Sequence, residues 1–298
     1  MRNIFRMSDL GLLSYYLGLE VTQGVHGITL RQSTYATKIL EKAGLAVCNA
    51  SATPMEMKLK LLKEGLTPSV DATEYRSLIG SLRYLCNSRL DLAYSVGYLS
   101  RFVEAPWQEH LVAVKRVLRY VVGMVLWGLH YHPRGGKDTA PHLMGYSDNN
   151  LAGDVNDRKS TSRLIFFLAG GPIAWQSAKQ KVVALSSCEA EYITAAGAMC
   201  EGVWLAQLLA ELIGGAVIAP KLKVDNKSAI ALMKNPVHHD QSKHIDVKFH
   251  FIRECCDRKL IDVEFVGTKL QLSDILKKAL GRSRFQELRG GIGMKNLV

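Results

Sequence analysis

Apolar positions follow two different periods along the chain, and the change falls near residue 140. Between Thr73 and about Val122, the stretches EYRSLIGSLRYLCNSR, LDLAYSVGYLSRFV and WQEHLVAVKRVLRYVVG carry apolar residues three or four apart. That is the spacing of one helix face, and Pro106 separates the second stretch from the third. Ahead of them, residues 14–32 (SYYLGLEVTQGVHGITLRQ) predict two strands around a Val25-His26-Gly27 turn. STYATKILEKAGL predicts a helix capped by Ser33 and ended near Gly44, with Tyr35, Ile39 and Leu40 on one face. Residues 48–70, with Pro54, Pro68 and several Ser and Thr, read as loop.

After residue 140 the pattern alternates. Strands are predicted at 142–147, 163–169 and 172–177, then a long helix over roughly 186–213. A strand at 221–225 leads into the helix KSAIALMKN, and a further helix spans about 243–258. A strand at 261–267 precedes a last helix near 271–280. Three strands in succession followed by alternation point to an α/β layer with a mixed sheet. HPRGGKDTAP, at 132–141, has the composition of an interdomain linker, and 298 residues are enough for two cores.

Composition narrows the class. Hydrophobic content of 48% and charged content of 22% are globular values. No unbroken apolar run approaches the ~18 residues that span a bilayer, so no membrane partner is expected. The start, MRNIFRMSDLG, is basic but lacks an apolar core, so no signal peptide is expected. Six cysteines without a C-x-x-C pair read as reduced thiols of an intracellular protein. The net charge is +11, and residues 1–140 carry 17 Lys and Arg against 11 Asp and Glu, so the excess is spread over both halves. A polyanion is the natural partner, nucleic acid being the commonest, although a merely basic surface has the same composition.

Four acids then stand out. In GYSDNNLAGD a strand-like run ends in Asp148, followed by two amides. In LKVDNKSA another strand runs into Asp225 at a helix start, which puts both acids at strand C-terminal ends, where open α/β sheets place their sites. SSCEAEYITAA carries Glu189 and Glu191, of which Glu191 lines up better with the apolar stripe of Ala195 and Met199. QLSDILKKAL places Asp274 early in the last predicted helix. Taken singly, each has an ordinary reading: a polar turn, a neighbour of the cap residue Asn226, a first-turn acid. Together, four converging carboxylates repel one another, and divalent cations offset that. Two oxygen-loving ions ~3.5–4 Å apart suit in-line phosphoryl displacement.

These residues carry a resemblance. GYSDNNLAGDVNDRKSTS, AWQSAKQKVVALSSCEAEYITAA, WLAQLLAEL, VDNKSAIALMKNPVHHDQSKHID, HFIRE and SDILKKAL, in this order over about 141–290, closely resemble the ribonuclease H region of copia-type LTR retrotransposon Pol polyproteins. MSDLGLLSYYLGLEV, LRQSTYATKILEKAGL, YRSLIGSLRYL and GYLSRFVEAPWQEHLVAVKRVLRYVVG resemble the C-terminal part of its reverse transcriptase and the connection that follows. The resemblance implies an α/β fold whose residues 142–298 form an RNase H-like mixed five-stranded sheet with flanking helices. A linker at 133–141 would precede it. Residues 1–132 would be a smaller, mainly helical (α+β) thumb/connection-like domain. The Tyr-x-Asp-Asp signature of the polymerase palm is absent, so no DNA synthesis is expected of this chain alone.

The implied activity is Mg²⁺-dependent cleavage of the RNA strand of RNA–DNA hybrids during reverse transcription, with Mn²⁺ as a substitute. The implied acids are Asp148, Glu191, Asp225 and Asp274, with Glu189 as rival for the second place. Asp148 would bridge two ions. Arg158, Lys159, Lys179, Lys181 and Lys243 are candidate phosphate contacts, and a reverse-transcriptase palm from a longer polyprotein is a candidate partner. The expected location is intracellular, in a cytoplasmic particle or the nucleus. Three positions depart from the pattern: Leu90 for a usual Pro, Leu151 for a usual Trp and Lys277 for a usual Thr. They motivate the alternative of an inactive relic that only binds nucleic acid or a polymerase partner. An integrase-like nuclease is disfavoured by Asp274 and by the upstream motifs. His238, His239, His244 and His250 with Asp240 and Asp246 fit no standard zinc spacing.

Overall fold

The run RLIFFL has no polar alternation, which is what a strand covered on both faces requires. The computed structural model, which describes residues 11–133, 142–234 and 243–297, shows this cover. The first half consists of β1 (Tyr15–Tyr16), β2 (Leu19–Gly24), β3 (Gly27–Arg31), α1 (Ser33–Lys42), α2 (Ala72–Leu85), α3 (Ala93–Leu99), α4 (Gln108–Val122) and β4 (Trp127–Tyr131). Then follow β5 (Leu143–Asn150), β6 (Thr161–Leu168), β7 (Gly171–Lys179), α5 (Ser187–Ile213), β8 (Lys221–Val224), α6 (Lys227–Lys234), α7 (Lys243–Asp257), β9 (Asp262–Phe265), α8 (Arg282–Gly291) and β10 (Met294–Asn296). The predicted linker lies almost wholly in 134–141, outside the described residues.

The second sheet has the order β7-β6-β5-β8-β9. β5, β6 and β7 pair antiparallel, while β5–β8 and β8–β9 are parallel. This is the mixed sheet expected from the alternation, in the five-stranded RNase H-like form that the resemblance implies. Successive β6 side chains serve opposite layers. Leu164 and Phe166 pack with α5, α6 and α7, whereas Ile165 and Phe167 join the core that holds the helices of the first half. Gly145 of β5 lies so close to Phe166 that a Cβ there would meet its ring at 2.5 Å. Helix α5 is long and apolar enough by composition to cross a membrane, but half of that window is buried inside the protein.

The first sheet runs β1-β2-β3-β4-β10. The predicted hairpin at 14–32 is β2 and β3, but Ser33 is the first helical residue of α1 and Gln32 its N-cap. The predicted helix near 271–280 is a 3₁₀ segment, Leu272–Leu276, while the α-helix lies further on as α8. Strand β10 pairs antiparallel with β4, so the end of the chain returns to the first sheet. Phe285, Leu288 and Ile292 sit in the same core as Leu90, Leu92 and Tyr120. The departure at Leu90 is therefore a fully buried core residue.

Candidate metal centre

The strand carrying the first acid is longer than its apolar part. β5 runs through Asp148, Asn149 and Asn150, which pair with Arg163, Ser162 and Thr161 of β6. Asp148 is therefore held by sheet hydrogen bonds and not by a turn. Asp225 follows the last residue of β8, with Asn226 accepting a hydrogen bond from the Ala229 N–H at the start of α6 (3.0 Å). Glu191 comes from the beginning of α5. There Ser186 is the N-cap and its hydroxyl accepts from the Glu189 N–H (3.1 Å).

Asp148, Glu191 and Asp225 each bring one oxygen to within 4.8 Å of the others, and no His or Cys belongs to the group. Glu189 does not join it, because its carboxylate turns back to accept from the Leu185 N–H (2.8 Å). Asp274, on the 3₁₀ segment, stands beyond the group across Lys277, whose ammonium lies 3.1 Å from an Asp148 oxygen and 3.8 Å from Asp274. The structure thus brings Asp148, Glu191 and Asp225 together and places Asp274 next to them.

The charges respond to this crowding. Burial, then Asp148 and Asp225, push the Glu191 carboxyl up to about 8. Burial also raises Asp225, with Asp148 and Asp274 adding to it against Lys277. Burial raises Asp274 too, with Lys277 opposing and Asp148 reinforcing. Asn149 donates to Oε2 of Glu191, while Oε1 is buried with no hydrogen-bond partner. An oxygen-only donor set with a buried, unpartnered carboxylate oxygen fits a hard divalent cation.

Three residues of this neighbourhood were not assigned roles from sequence. Arg163, fully buried, donates from Nη1 to Asp148 Oδ2 (3.1 Å), and burial lowers its pKa to about 10. Asn149 and Lys277 are the others. The signal for Arg163 was a charge in an otherwise apolar strand, in phase with Ile165 and Phe167.

The basic candidates divide. Arg158 and Lys181 are exposed, and Arg158 has a left-handed backbone (φ +58°). Lys159 lies 3.8 Å from Asp157, and Lys179 is bound to Asp154 (3.0 Å) and Asp157 (2.9 Å). Arg101 also holds Asp154 (2.9 Å), so this loop is tied to the first half. The side chain of Lys243 lies outside the described residues, as do His238, His239, Asp240 and the side chains of His244 and Asp246. Trp175 is partly buried, its indole N–H donating to the Cys86 carbonyl (3.1 Å). Leu151 is exposed after β5.

Residues 1–57 match a family model described as reverse transcriptase (RNA-dependent DNA polymerase). The chain is 38% identical over 290 residues to the retrovirus-related Pol polyprotein from transposon RE1 of Arabidopsis thaliana, covering 97% of this chain and 20% of that protein. It is also 38% identical over 299 residues to the corresponding polyprotein from transposon TNT 1-94 of Nicotiana tabacum, covering 97% and 22%. The chain spans about a fifth of the length of these curated relatives. Among solved structures, a foamy viral protease-reverse transcriptase in complex with RNA/DNA hybrid aligns with TM-score 0.47 at 15% identity, over 85% of this chain and 29% of that one.

Proposed function

Because the chain belongs to the family of copia-type retrotransposon Pol polyproteins, with reverse-transcriptase and RNase H parts, we propose that it is a metal-dependent ribonuclease H that cleaves the RNA strand of RNA–DNA hybrids during reverse transcription. The observation that carries this reading is the meeting of the Asp148, Glu191 and Asp225 oxygens within 4.8 Å. We assign residues 1–132 to the reverse-transcriptase remnant, 133–141 to the linker and 142–298 to the nuclease, acting inside the cell. The family pattern would put Asp148 on two ion positions, with Glu191 and Asp225 completing one and Asp274 the other; the acids that meet here are Asp148, Glu191 and Asp225. Mg²⁺ is the proposed ion, with Mn²⁺ as a substitute.

Bound ions would lower the pKa of the attacking water and offset charge developing on the phosphate. The protein's own part is to hold the ligands before substrate arrives. The β5–β6 ladder and Arg163 fix Asp148, Asn149 orients Glu191, and the Gln271 amide ties the Asp274 segment to the Ser147 carbonyl (2.9 Å). The test is cleavage of a labelled RNA–DNA hybrid by the full chain with and without Mg²⁺, with double-stranded DNA and RNA as controls. Cleavage confined to the RNA of the hybrid and abolished by EDTA is the expected result. The relic reading has one observation behind it, the two cationic side chains already seated on Asp148. Hybrid binding without any Mg²⁺-dependent cleavage would replace the enzyme reading with it.

Hybrid affinity should fall linearly in log–log form as salt rises, because phosphate contacts release counterions, with slope about −0.9 per phosphate neutralised on a B-form duplex. The motive is the basic excess of both halves. Fluorescence anisotropy of a labelled hybrid across a salt series measures it, and a flat line would remove nucleic acid as the partner.

A further inference from the structure

We propose that the Lys277 ammonium is a built-in cation occupying the second position of the acid site, so that this chain takes one divalent ion on Asp148, Glu191 and Asp225 and none between Asp148 and Asp274. The inference rests on the metal-dependent reading above and concerns how many ions that site accepts.

The argument begins with the turn. The Lys277 N–H donates to the Asp274 carbonyl (3.0 Å), closing the 3₁₀ segment and fixing the two side chains on one side of it. From there the ammonium reaches Asp148 Oδ1 and Oδ2, both at 3.1 Å, while Asp274 Oδ1 lies 3.8 Å away. Asp148 is thus straddled by the ammonium on the side that faces Asp274.

Counting acceptors shows why one more ion fits and two do not. A carboxylate has about four lone-pair sites. Asp148 Oδ1 accepts from the Asn149 N–H (2.7 Å) and Lys277, and Oδ2 accepts from Arg163 with the Lys277 ammonium 3.1 Å away as an ion-pair contact. The Asn149 donor is backbone, and Arg163 is sealed in the sheet with no exposure. Lys277 alone among the three is a partly exposed side chain on a flexible stem. Asp148 would share one oxygen with an ion held on the Glu191 and Asp225 side and leave the other to the ammonium beside Asp274. A second ion would have to evict it. That would put a divalent charge beside a displaced ammonium whose other neighbour, Asp274, is the ligand the ion needs.

Mn²⁺ binding to the full chain without nucleic acid tests this, by calorimetric titration and by electron paramagnetic resonance for coupled ion pairs. Wild type is expected to bind one Mn²⁺ with no pair signal. Lys277→Met should bind two, the second at least about ten-fold tighter than any second ion in wild type, with a pair signal. Asp274→Asn should leave the wild-type count at one but return Lys277→Met from two to one. Lys277→Gln serves in its place if the Met variant unfolds on melting in EDTA. Two ions in wild type, or the same count with and without the Lys277 charge, overturns the inference and leaves the nuclease reading standing. No ion in wild type overturns both.

Discussion

Glu191→Gln should lose more hybrid cleavage than the ~10–100-fold that follows loss of a group merely supporting a metal ligand. Hybrid affinity measured in Ca²⁺ should stay near wild type. Glu189→Gln should remain within a few-fold of wild type, because its carboxylate caps the start of α5 and stands apart from the acid group. The Gln side chain keeps the size and one hydrogen bond of Glu191 and removes the charge. A stability measurement in EDTA separates a ligand from a scaffold. The folded-state pKa of Glu191, about 8, lies above its ordinary value of 4.5. Its contribution to stability is therefore fully present below pH ~4.5 and lost as pH rises through about 8, a change on the order of a few kcal/mol. Metal-free wild type should become easier to unfold over that window, and Glu191→Gln should not. The inactive variant would then be at least as stable as wild type near pH 8. Full activity in Glu191→Gln, or the larger loss in Glu189→Gln, would move the site.

How far the residues alone revealed this depends on whether each partner is local. Helical phase put Glu191 with Ala195 and Met199, and both of those are fully buried in α5. Asp225 directly follows its strand, as the apolar-to-polar switch implied. The strand predicted at 142–147 stops short of Asn150 because Asp148-Asn149-Asn150 has turn composition. Its extension is decided by the facing residues Thr161–Arg163, which no local pattern reports. Arg163 was legible only as a charge in the wrong place, since its counter-charge is across the ladder. The helix predicted near 271–280 differs from the structure for the same reason. Asp274 sits on a 3₁₀ turn, and the α-helix lies in RSRFQELRGG, whose charge hides the Phe285, Leu288 and Ile292 stripe. Strand β10 exists because β4 offers it an edge, a pairing between residues such as Met294 and Leu129 that are far apart in sequence.

The largest expected loss of stability is at Asp91→Ala, outside the acid group. Arg89 and Asp91 form a fully buried pair in which Nε and Nη2 donate to the two carboxylate oxygens at 2.9 and 2.8 Å. The Tyr120 hydroxyl of α4 donates to Asp91 (2.6 Å) and accepts from Arg289 of α8 (3.2 Å). Arg289 in turn lies over the Trp127 ring at 3.9 Å, next to the strand pair formed by the chain's end. Deleting the carboxylate strands Arg89 in a dry interior, which costs about 3–5 kcal/mol. Arg89→Met with Asp91→Leu removes both charges of the pair and should cost less, because Arg89 is not left as an unpaired ion. Urea unfolding of the three proteins distinguishes the cases. A small loss in Asp91→Ala would mean that water reaches Arg89. The site should feel the single change as well. Ile275 and Leu276, directly after Asp274, share the core with Leu90, Leu92 and Phe285. Asp91→Ala should therefore lower hybrid cleavage at temperatures where it is still folded, while the double variant keeps it. Equal activity in both at matched fractions folded would show that the Asp274 turn holds its place without this network.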